Sequence, residues 1–344
     1  MKFLSTILFL FFFEFATAQV PGTAIINNAL FAKFNLSVTI NDSSSVTFNI
    51  NAVGVGGVGQ ITEVGVVYGI AKGLTTSSTI YKPSATPATF GTRIATISYS
   101  GPTSTSLTVL STSTNNSQGT DSFFVAPYYA KLYAIKNGAT YYGPEIEFLP
   151  NWPTVTTNNK TWLKANLGAL RVATSSTDSD SWGFKYQWGR GTDGHQFPGS
   201  STTTTYSDGP SPGHGNFIIS SRNDGNWMDP NPSTTSWAGT TAINNPCPSG
   251  WRIPTRDEWA FIRTISGGLN STSAYGSALI LPSSQQRMRY SPAAVNSGNG
   301  HGYWMNNTTS GGVRMLHFGT GSGNQWGESG DAGAYGGAVR CIQN

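Results

Sequence analysis

Charged side chains are scarce in this sequence. Asp, Glu, Lys and Arg make up 10% of its 344 residues, and the formal net charge is +4. The lysines and arginines are scattered rather than clustered, which excludes the concentrated basic surface of a nucleic-acid-binding protein. A surface with so few ions has to expose hydroxyls, amides and backbone. The 41 glycines fit such a surface, and the 12% aromatic residues supply material for packed cores, which excludes a disordered chain.

Long apolar runs are absent beyond the start of the chain. Residues 3–13 are mostly apolar, Lys2 precedes them, and Ala16 and Ala18 form a small-x-small site before Gln19. This pattern is typical of a secretory signal peptide, and its apolar run is too short to span a bilayer. We expect residues 1–18 to be removed. The mature chain is expected to be exported to the outer cell surface, the medium or the periplasm, with no transmembrane segment.

Cysteine is also rare. The chain has two, Cys247 and Cys341. An even number of cysteines in an exported chain predicts one structural disulfide. A redox pair is the alternative, but it needs close spacing or a surrounding that lowers the thiol pKa, and neither is visible.

Patterns of catalytic residues are missing as well. The sequence has no Gly-x-Ser-x-Gly elbow of a hydrolase. The four histidines are His195, His214, His301 and His317. They lack the spacing of a zinc motif. The acids considered for glycoside hydrolysis are Asp224, Asp229, Asp257 and Glu258. Asp257 and Glu258 are already explained by the start of a helix, so the sequence predicts a protein that is not an enzyme.

The first part of the chain has the alternation of β-strands. Period-2 runs lie at residues 36–40 and 46–50, with turn-forming residues at 41–43 between them. Further strands are predicted at residues 61–68, 92–99, 106–110, 123–135 and 141–148. Asn137-Gly138 between the last two predicts a tight hairpin. Many short strands without a helical period predict an all-β sandwich for residues 19–150.

The end of this region resembles a known module. The segments YYAKLYA at 128–134, NG at 137–138 and YYG at 141–143 are similar to the end of fibronectin type III-like modules of bacterial surface proteins. The resemblance implies a spacer or interaction module without an active site. The tyrosines are expected to pack across strands, and a ligand platform is the alternative.

A second region is predicted at residues 151–344. It begins with a short polar connection at 151–159, and nine of the ten tryptophans follow that connection. One helix is predicted there, because Thr255 and Glu258 have the spacing of a capping box. Three apolar residues recur on one face of this helix: Trp259, Ile262 and Ile265. Gly267 and Gly268 are predicted to end it.

Several ordered blocks of this region resemble one family. They are WLKANL at 162–167, YQWGR at 186–190 with DGH at 193–195, CPSGWRIPT at 247–255 with EW at 258–259, YW at 303–304, and VRC at 339–341. Together they resemble the signature of the Fibrobacter succinogenes major paralogous domain family. The resemblance implies an irregular α+β domain of the C-type lectin-like fold, with a disulfide joining its two ends.

The block WRIPTRDEW at 251–259 is also similar to formylglycine-generating-enzyme-like domains, which share that fold. The active oxidases of that group use a reactive cysteine pair. Here both cysteines occupy motif positions that look structural, so the oxidase remains a remote alternative.

Aromatic and amide side chains next to each other are typical of carbohydrate sites, because rings stack on sugar C–H faces and amides bond hydroxyls. The residues predicted to form such a ligand-binding platform are Trp227, Trp304, Asn306 and Asn307. A core position for Trp304 is the alternative.

The segment 223–231 is rich in oxygen ligands, which calcium prefers. Its candidate metal ligands are Asp224, Asn226 and Asp229, although the segment is not an EF-hand. The alternative is a tight set of hydrogen-bonded turns, and no other cofactor is predicted.

The sequence thus predicts an exported, non-catalytic binding or adhesion protein, with a lectin-like domain carried on a β-sandwich spacer. Its expected partner is a glycan or a surface protein, not a nucleic acid. A self-assembling subunit of a surface layer or filament is the alternative, because low charge weakens repulsion between copies.

Overall fold

The computed structural model describes residues 25–26, 34–40, 45–52, 61–70, 93–98, 105–110, 125–136, 138–150, 152–230, 232, 236–266, 270–290, 301–306, 313–319 and 327–343. The predicted signal peptide at 1–18, the predicted turn at 41–43 and the predicted helix end at Gly267 and Gly268 lie outside the described residues.

In the described part of the chain before residue 150, eight strands form two sheets. They are β1 (Ile25–Ile26), β2 (Phe34–Ile40), β3 (Ser45–Ala52), β4 (Ile61–Gly69), β5 (Arg93–Ser98), β6 (Thr105–Leu110), β7 (Tyr128–Lys136) and β8 (Ala139–Phe148). One sheet has the order β1-β8-β7-β4-β5, and the other has the order β2-β3-β6. All the predicted strands are present, and the one predicted from residue 123 begins at Tyr128.

The two sheets pack face to face. Val46 and Phe48 alternate along β3 and are completely buried. The ring of Phe48 lies 5.1 Å from that of Tyr68 on β4 and 5.7 Å from that of Phe148 on β8. Because side chains from both sheets share this core, the first part of the chain is a β-sandwich, as predicted.

The predicted hairpin between β7 and β8 is confirmed. Lys136 pairs directly with Ala139, which leaves a two-residue loop. Gly138 has a φ of +76°, a left-handed conformation that glycine adopts without strain.

After residue 150 the regular elements are short. The strands are β9 (Thr154–Thr157), β10 (Lys160–Leu163), β11 (Tyr186–Gln187), β12 (Thr202–Thr203), β13 (Phe217–Ile218), β14 (Trp251–Arg252), β15 (His301–Trp304), β16 (Val313–Phe318), β17 (Gly327–Asp331), β18 (Gly336–Gly337) and β19 (Ile342–Gln343). The helices are α1 (Arg256–Ile265), α2 (Ser271–Tyr275) and a 3-10 turn (Ser179–Ser181). Among the described residues, no helix is long and apolar enough to cross a membrane.

The predicted helix α1 begins with the predicted capping box. The Thr255 side chain accepts a hydrogen bond from the Glu258 backbone N–H, and the Glu258 carboxylate accepts one from the Thr255 backbone N–H. Trp259 and Ile262 are buried, but Ile265 is 49% exposed, so its predicted place on the buried face is wrong. The last turn of α1 therefore lies beyond the edge of the hydrophobic core.

The prediction of a single helix was also wrong. Asn270 caps the five-residue helix α2 by accepting hydrogen bonds from the backbone N–H groups of Thr272 and Ser273. A helix of this length has too few residues to show an apolar period in the sequence.

The sandwich and the following region share one hydrophobic core. Val125 exchanges backbone hydrogen bonds with two residues of the later region, since its N–H donates to Ala169 and its carbonyl accepts from Gly168. The carboxylate of Glu147 on β8 accepts hydrogen bonds from the backbone N–H and the hydroxyl of Ser249. The buried cluster runs continuously from the sandwich to the residues around the disulfide.

The predicted disulfide is present. Cys247 and Cys341 are joined with an S–S distance of 2.08 Å, and both are buried. Cys247 precedes β14 and Cys341 precedes β19, and these two strands pair antiparallel. The bond therefore fixes the last strand beside the entry to α1.

Candidate functional site

The block at 186–195 lies in the interior. Gln187 and Arg190 are completely buried. Arg190 Nε donates to Asp193 Oδ2 at 2.6 Å, while its two other nitrogens donate to Gln187 Oε1 at 2.9 Å and to the carbonyl of His214 at 2.7 Å. Gln187 Nε2 in turn donates to the carbonyls of Ile218 and Ala334. These polar groups hold loops together and are turned away from any ligand.

An aspartate–histidine pair in this block resembles a catalytic dyad but cannot act as one. His195 Nδ1 lies 2.6 Å from Asp193 Oδ1, and its Nε2 accepts the backbone N–H of Gln187 at 2.9 Å. Burial, and then the charge of Arg190, lower the pKa of His195 to about 4. Burial alone would raise the pKa of Asp193, but His195 and Arg190 hold it at about 2. Both imidazole nitrogens are engaged, so the ring has no site to accept a substrate proton.

Two further arginines serve the same structural purpose. Arg340 is completely buried and donates to the carbonyls of Leu163 and Leu279 and to the amide oxygen of Asn166. Arg287 donates to the hydroxyl and the carbonyl of Ser200. Buried backbone carbonyls of irregular loops need such donors, because they have no strand or helix partner.

The predicted aromatic platform is wrong for its tryptophans. Trp227 and Trp304 are completely buried. Trp227 Nε1 donates to the carbonyl of Trp188 at 2.8 Å, and Trp304 Nε1 donates to the carbonyl of Tyr186 at 2.6 Å. Asn306 is 6% exposed, and Asn307 lies outside the described residues. Neither indole has a free face, so neither can stack on a sugar.

The predicted metal ligands are occupied by an arginine. Arg222 donates to both carboxylate oxygens of Asp224 at 3.0 and 2.9 Å, and to Asp229 Oδ2 at 2.7 Å. Asn226 Oδ1 accepts the backbone N–H of Gly333 at 3.2 Å. Across the described ranges, no group of three or more His, Cys, Asp or Glu side chains is placed to hold a metal ion. The carboxylate oxygens of Asp224, Oδ2 of Asp229 and the amide oxygen of Asn226 are therefore engaged within the protein itself.

This loop belongs to a surface that the sequence analysis did not single out. We call it the tyrosine–arginine surface, and it consists of Tyr206, Arg222, Arg289, Tyr290 and Tyr335. The Arg222 guanidinium lies 5.4 Å from the centre of the Tyr206 ring. That of Arg289 lies 5.7 Å from the Tyr290 ring and 5.8 Å from the Tyr335 ring. Arg289 Nη1 also donates to the carbonyls of Ser220 and Arg222, which joins the two halves of the surface.

A small core supports this surface from beneath. Ile218, Trp227, Met228 and Ala334 form a buried cluster on which Tyr206 packs. Gly225 has a φ of +64°, and a Cβ there would lie 2.2 Å from the Cβ of Ala332, so the chain approaches too closely for any side chain. The backbone N–H of Ala334 donates to the carbonyl of Gly225 at 3.0 Å. The loops that carry the surface are thus fixed in position.

The tyrosine–arginine surface presents exposed aromatic and charged side chains. Tyr290 is 56% exposed, and the side chain of Asp229 at its margin is 63% exposed. Phenol rings offer apolar faces and hydroxyls, and guanidinium offers fixed donors. Sequence reasoning found the aspartates but missed the three tyrosines, which are 84 and 45 residues apart along the chain.

No family model and no curated protein sequence matches this chain. Among solved structures, it is similar to a DUF3823 family protein from Parabacteroides merdae at 17% identity, over 34% of this chain and 52% of that protein, with a TM-score of 0.23. It is also similar to the third fibronectin III domain of a human protein, at 10% identity, over 42% of this chain and all of that domain, with a TM-score of 0.23. A redesigned β-sandwich protein gives 13% identity, over 36% of this chain and 94% of that protein, with a TM-score of 0.23. The chain thus spans about half of the DUF3823 protein.

Proposed function

We propose that this chain is an exported, non-catalytic binding protein of the outer cell surface or medium, and that its ligand is a glycan. In this proposal residues 19–150 are a fibronectin type III-like spacer. Residues 151–344 are a lectin-like domain of the Fibrobacter succinogenes major paralogous type. The sequence blocks quoted above, the two-sheet sandwich and the disulfide support this assignment.

The tyrosine–arginine surface is the observation that carries the proposal. It combines aromatic faces with hydrogen-bond donors and acceptors on loops that a buried core holds in place. Sugar rings are bound by this combination, because stacking uses their C–H faces while polar groups reach their hydroxyls.

A non-catalytic role has separate support. Both cysteines are consumed in a buried disulfide, which leaves no thiol for the formylglycine-type oxidation considered above. In the Asp193–His195 pair, Nε2 of the imidazole accepts a hydrogen bond from the backbone N–H of Gln187. Thiol and acid–base chemistry therefore have no accessible group at these two sites.

The test is a broad glycan array probed with the mature chain and with Tyr290→Ala. We expect wild-type binding to at least one glycan class and about a tenfold or greater loss of affinity in the variant, because an exposed stacking ring is removed. Tyr275→Ala, on α2 and not one of the residues of this surface, is the matched control and should bind like the wild type. If no glycan binds at high protein concentration, the proposal is refuted.

Light scattering after size-exclusion chromatography separates this function from the self-assembling subunit. We expect a species whose mass does not change with protein concentration or with calcium, because the carboxylates of Asp224 and Asp229 are already bound by Arg222. Assemblies that grow with concentration would favour the structural subunit instead.

A further inference from the structure

The two arginines of the tyrosine–arginine surface differ in their bonding partners. Arg222 is committed to two carboxylates, those of Asp224 and Asp229. Arg289 makes no ion pair within the described part of the chain, and its hydrogen bonds there go from Nη1 to two backbone carbonyls. Its Nε is buried and has no hydrogen-bond partner among the described residues. The Arg289 guanidinium therefore has hydrogen-bond donor capacity that this part of the fold does not use.

We propose that Arg289, with Tyr290 and Tyr335, is a subsite for the carboxylate of an acidic sugar. This inference rests on glycan binding at the same surface. The two rings lie beside the guanidinium at 5.7 and 5.8 Å, and Tyr290 is more than half exposed. A sugar ring that stacks on Tyr290 brings a ring carboxylate toward Arg289. A guanidinium binds a carboxylate more strongly than it binds a neutral acceptor, because the hydrogen bond is charge-assisted.

The charges around the subsite permit an anion. The two aspartates at the margin are both held by Arg222 at 2.7–3.0 Å, so that arginine compensates one of their two negative charges. The Arg222 hydrogen bond is the main cause of the lowered pKa of Asp224, and Arg289 adds only a smaller Coulombic effect. Two arginines balance two aspartates, and the chain as a whole carries a net charge of +4. An acidic ligand therefore meets a neutral cluster on a weakly basic protein.

The surface favours a sugar over a protein partner. Stable protein interfaces bury about 800 Å² on each side around an apolar centre. Three large apolar side chains are exposed among the described residues, namely Ile243, Ile265 and Tyr290. Of these only Tyr290 belongs to the tyrosine–arginine surface. One exposed ring beside an arginine matches a monosaccharide in size.

The test compares acidic oligosaccharides with neutral counterparts of the same ring structure. Oligogalacturonate is paired with its methyl ester, and sialyllactose is paired with lactose, in titrations at low and high salt. We expect the wild-type protein to bind at least one acid about 10- to 100-fold more tightly than its neutral partner, as for hydrogen bonds to charged groups. Higher salt should reduce that preference.

Variants assign the preference to Arg289. Arg289→Gln should remove the preference for the acid while the neutral partner binds as before, and Arg289→Lys should keep part of it. Arg263→Gln, in the last turn of α1, is the matched control and should leave the preference unchanged. Thermal unfolding of each variant checks that the loops remain folded.

The outcomes separate this inference from the proposed function. Equal affinity for acid and neutral partner in the wild-type protein overturns the carboxylate subsite but leaves glycan binding intact. If the wild-type protein binds neutral glycans but no acidic glycan, the carboxylate subsite is likewise overturned and glycan binding stays intact. Absence of binding to every glycan overturns both, and capture of an acidic peptide in their place would identify the surface as a protein site.

Discussion

Lys185 illustrates how this protein uses cations in its interior. The side chain is 7% exposed, and Nζ donates to the carbonyls of Trp182 and Gly183 at 3.0 Å. Burial lowers the pKa of this amine from 10.5 to about 7. A neutral amine retains two N–H groups, so both carbonyls keep their donor when the charge is lost.

This pKa predicts a pH dependence of stability. Between about pH 7 and pH 9.5 the unfolded chain holds a proton on Lys185 that the folded chain has released, so stability rises with pH. The slope is at most about 1.4 kcal/mol per pH unit for one group. We expect Lys185→Met to lack this contribution, as measured by urea unfolding of both proteins across the window. Parallel curves for the two proteins would show that the amine does not titrate there.

At the scale of single residues, the sequence identified important side chains better than it predicted whether they are exposed or buried. It identified Trp227 and Trp304 as important, but their indoles are buried and bond backbone carbonyls. A tryptophan among Gly, Ser and Asn is equally typical of a binding loop and of a loop folded over a core. Residue type alone cannot distinguish the two, because the partner carbonyls lie 39 and 118 residues away.

Among the elements, α1 is the most completely specified by local sequence. Thr255→Ala should lower the free energy of unfolding by about 1 kcal/mol, because the Glu258 backbone N–H loses its acceptor. Thr264→Ala is the matched control. Its hydroxyl donates to the Ala260 carbonyl, which the helix backbone already uses, so we expect little change. Chemical denaturation of the three proteins measures both effects, and equal losses in the two variants would contradict the capping role.

The sandwich strands could be predicted because alternation is local, and so could the turn at Gly138, where the backbone needs a positive φ. The region from residue 164 to residue 250 could not. Its short strands are joined by side chains such as Gln187 and Asn244, which bond carbonyls 31 to 147 residues away. The tyrosine–arginine surface was missed for the same reason, since Tyr206 and Tyr290 are linked only through the contacts of Arg222 and Arg289.

The whole molecule is held together by a shared core and one disulfide. The cluster around Phe48 and Phe148 continues to Leu167 and then to Cys341. Glu147 also bonds Ser249, close to the disulfide. Contacts of this kind couple the folding of the sandwich to that of the later region.

Removal of the disulfide is predicted to weaken this whole structure. The bond closes a loop between residues 94 apart in sequence, which corresponds to about 4–5 kcal/mol in the chain-entropy model. We expect a Cys247→Ser, Cys341→Ser double variant to lose stability on this scale in denaturant unfolding. Reduction of the wild-type protein should give a similar loss. A loss below about 1 kcal/mol would mean that the core alone fixes the last strand.

The buried arginines have a consequence for how such a protein diversifies. Arg190 bonds the carbonyls of His214 and Asn216, and Arg340 bonds those of Leu163 and Leu279. A main-chain carbonyl is present whatever side chain the loop carries. The hydrogen bonds of these buried arginines therefore do not depend on which side chains the loop residues carry. Those outer residues can therefore be substituted one by one while the buried frame stays the same.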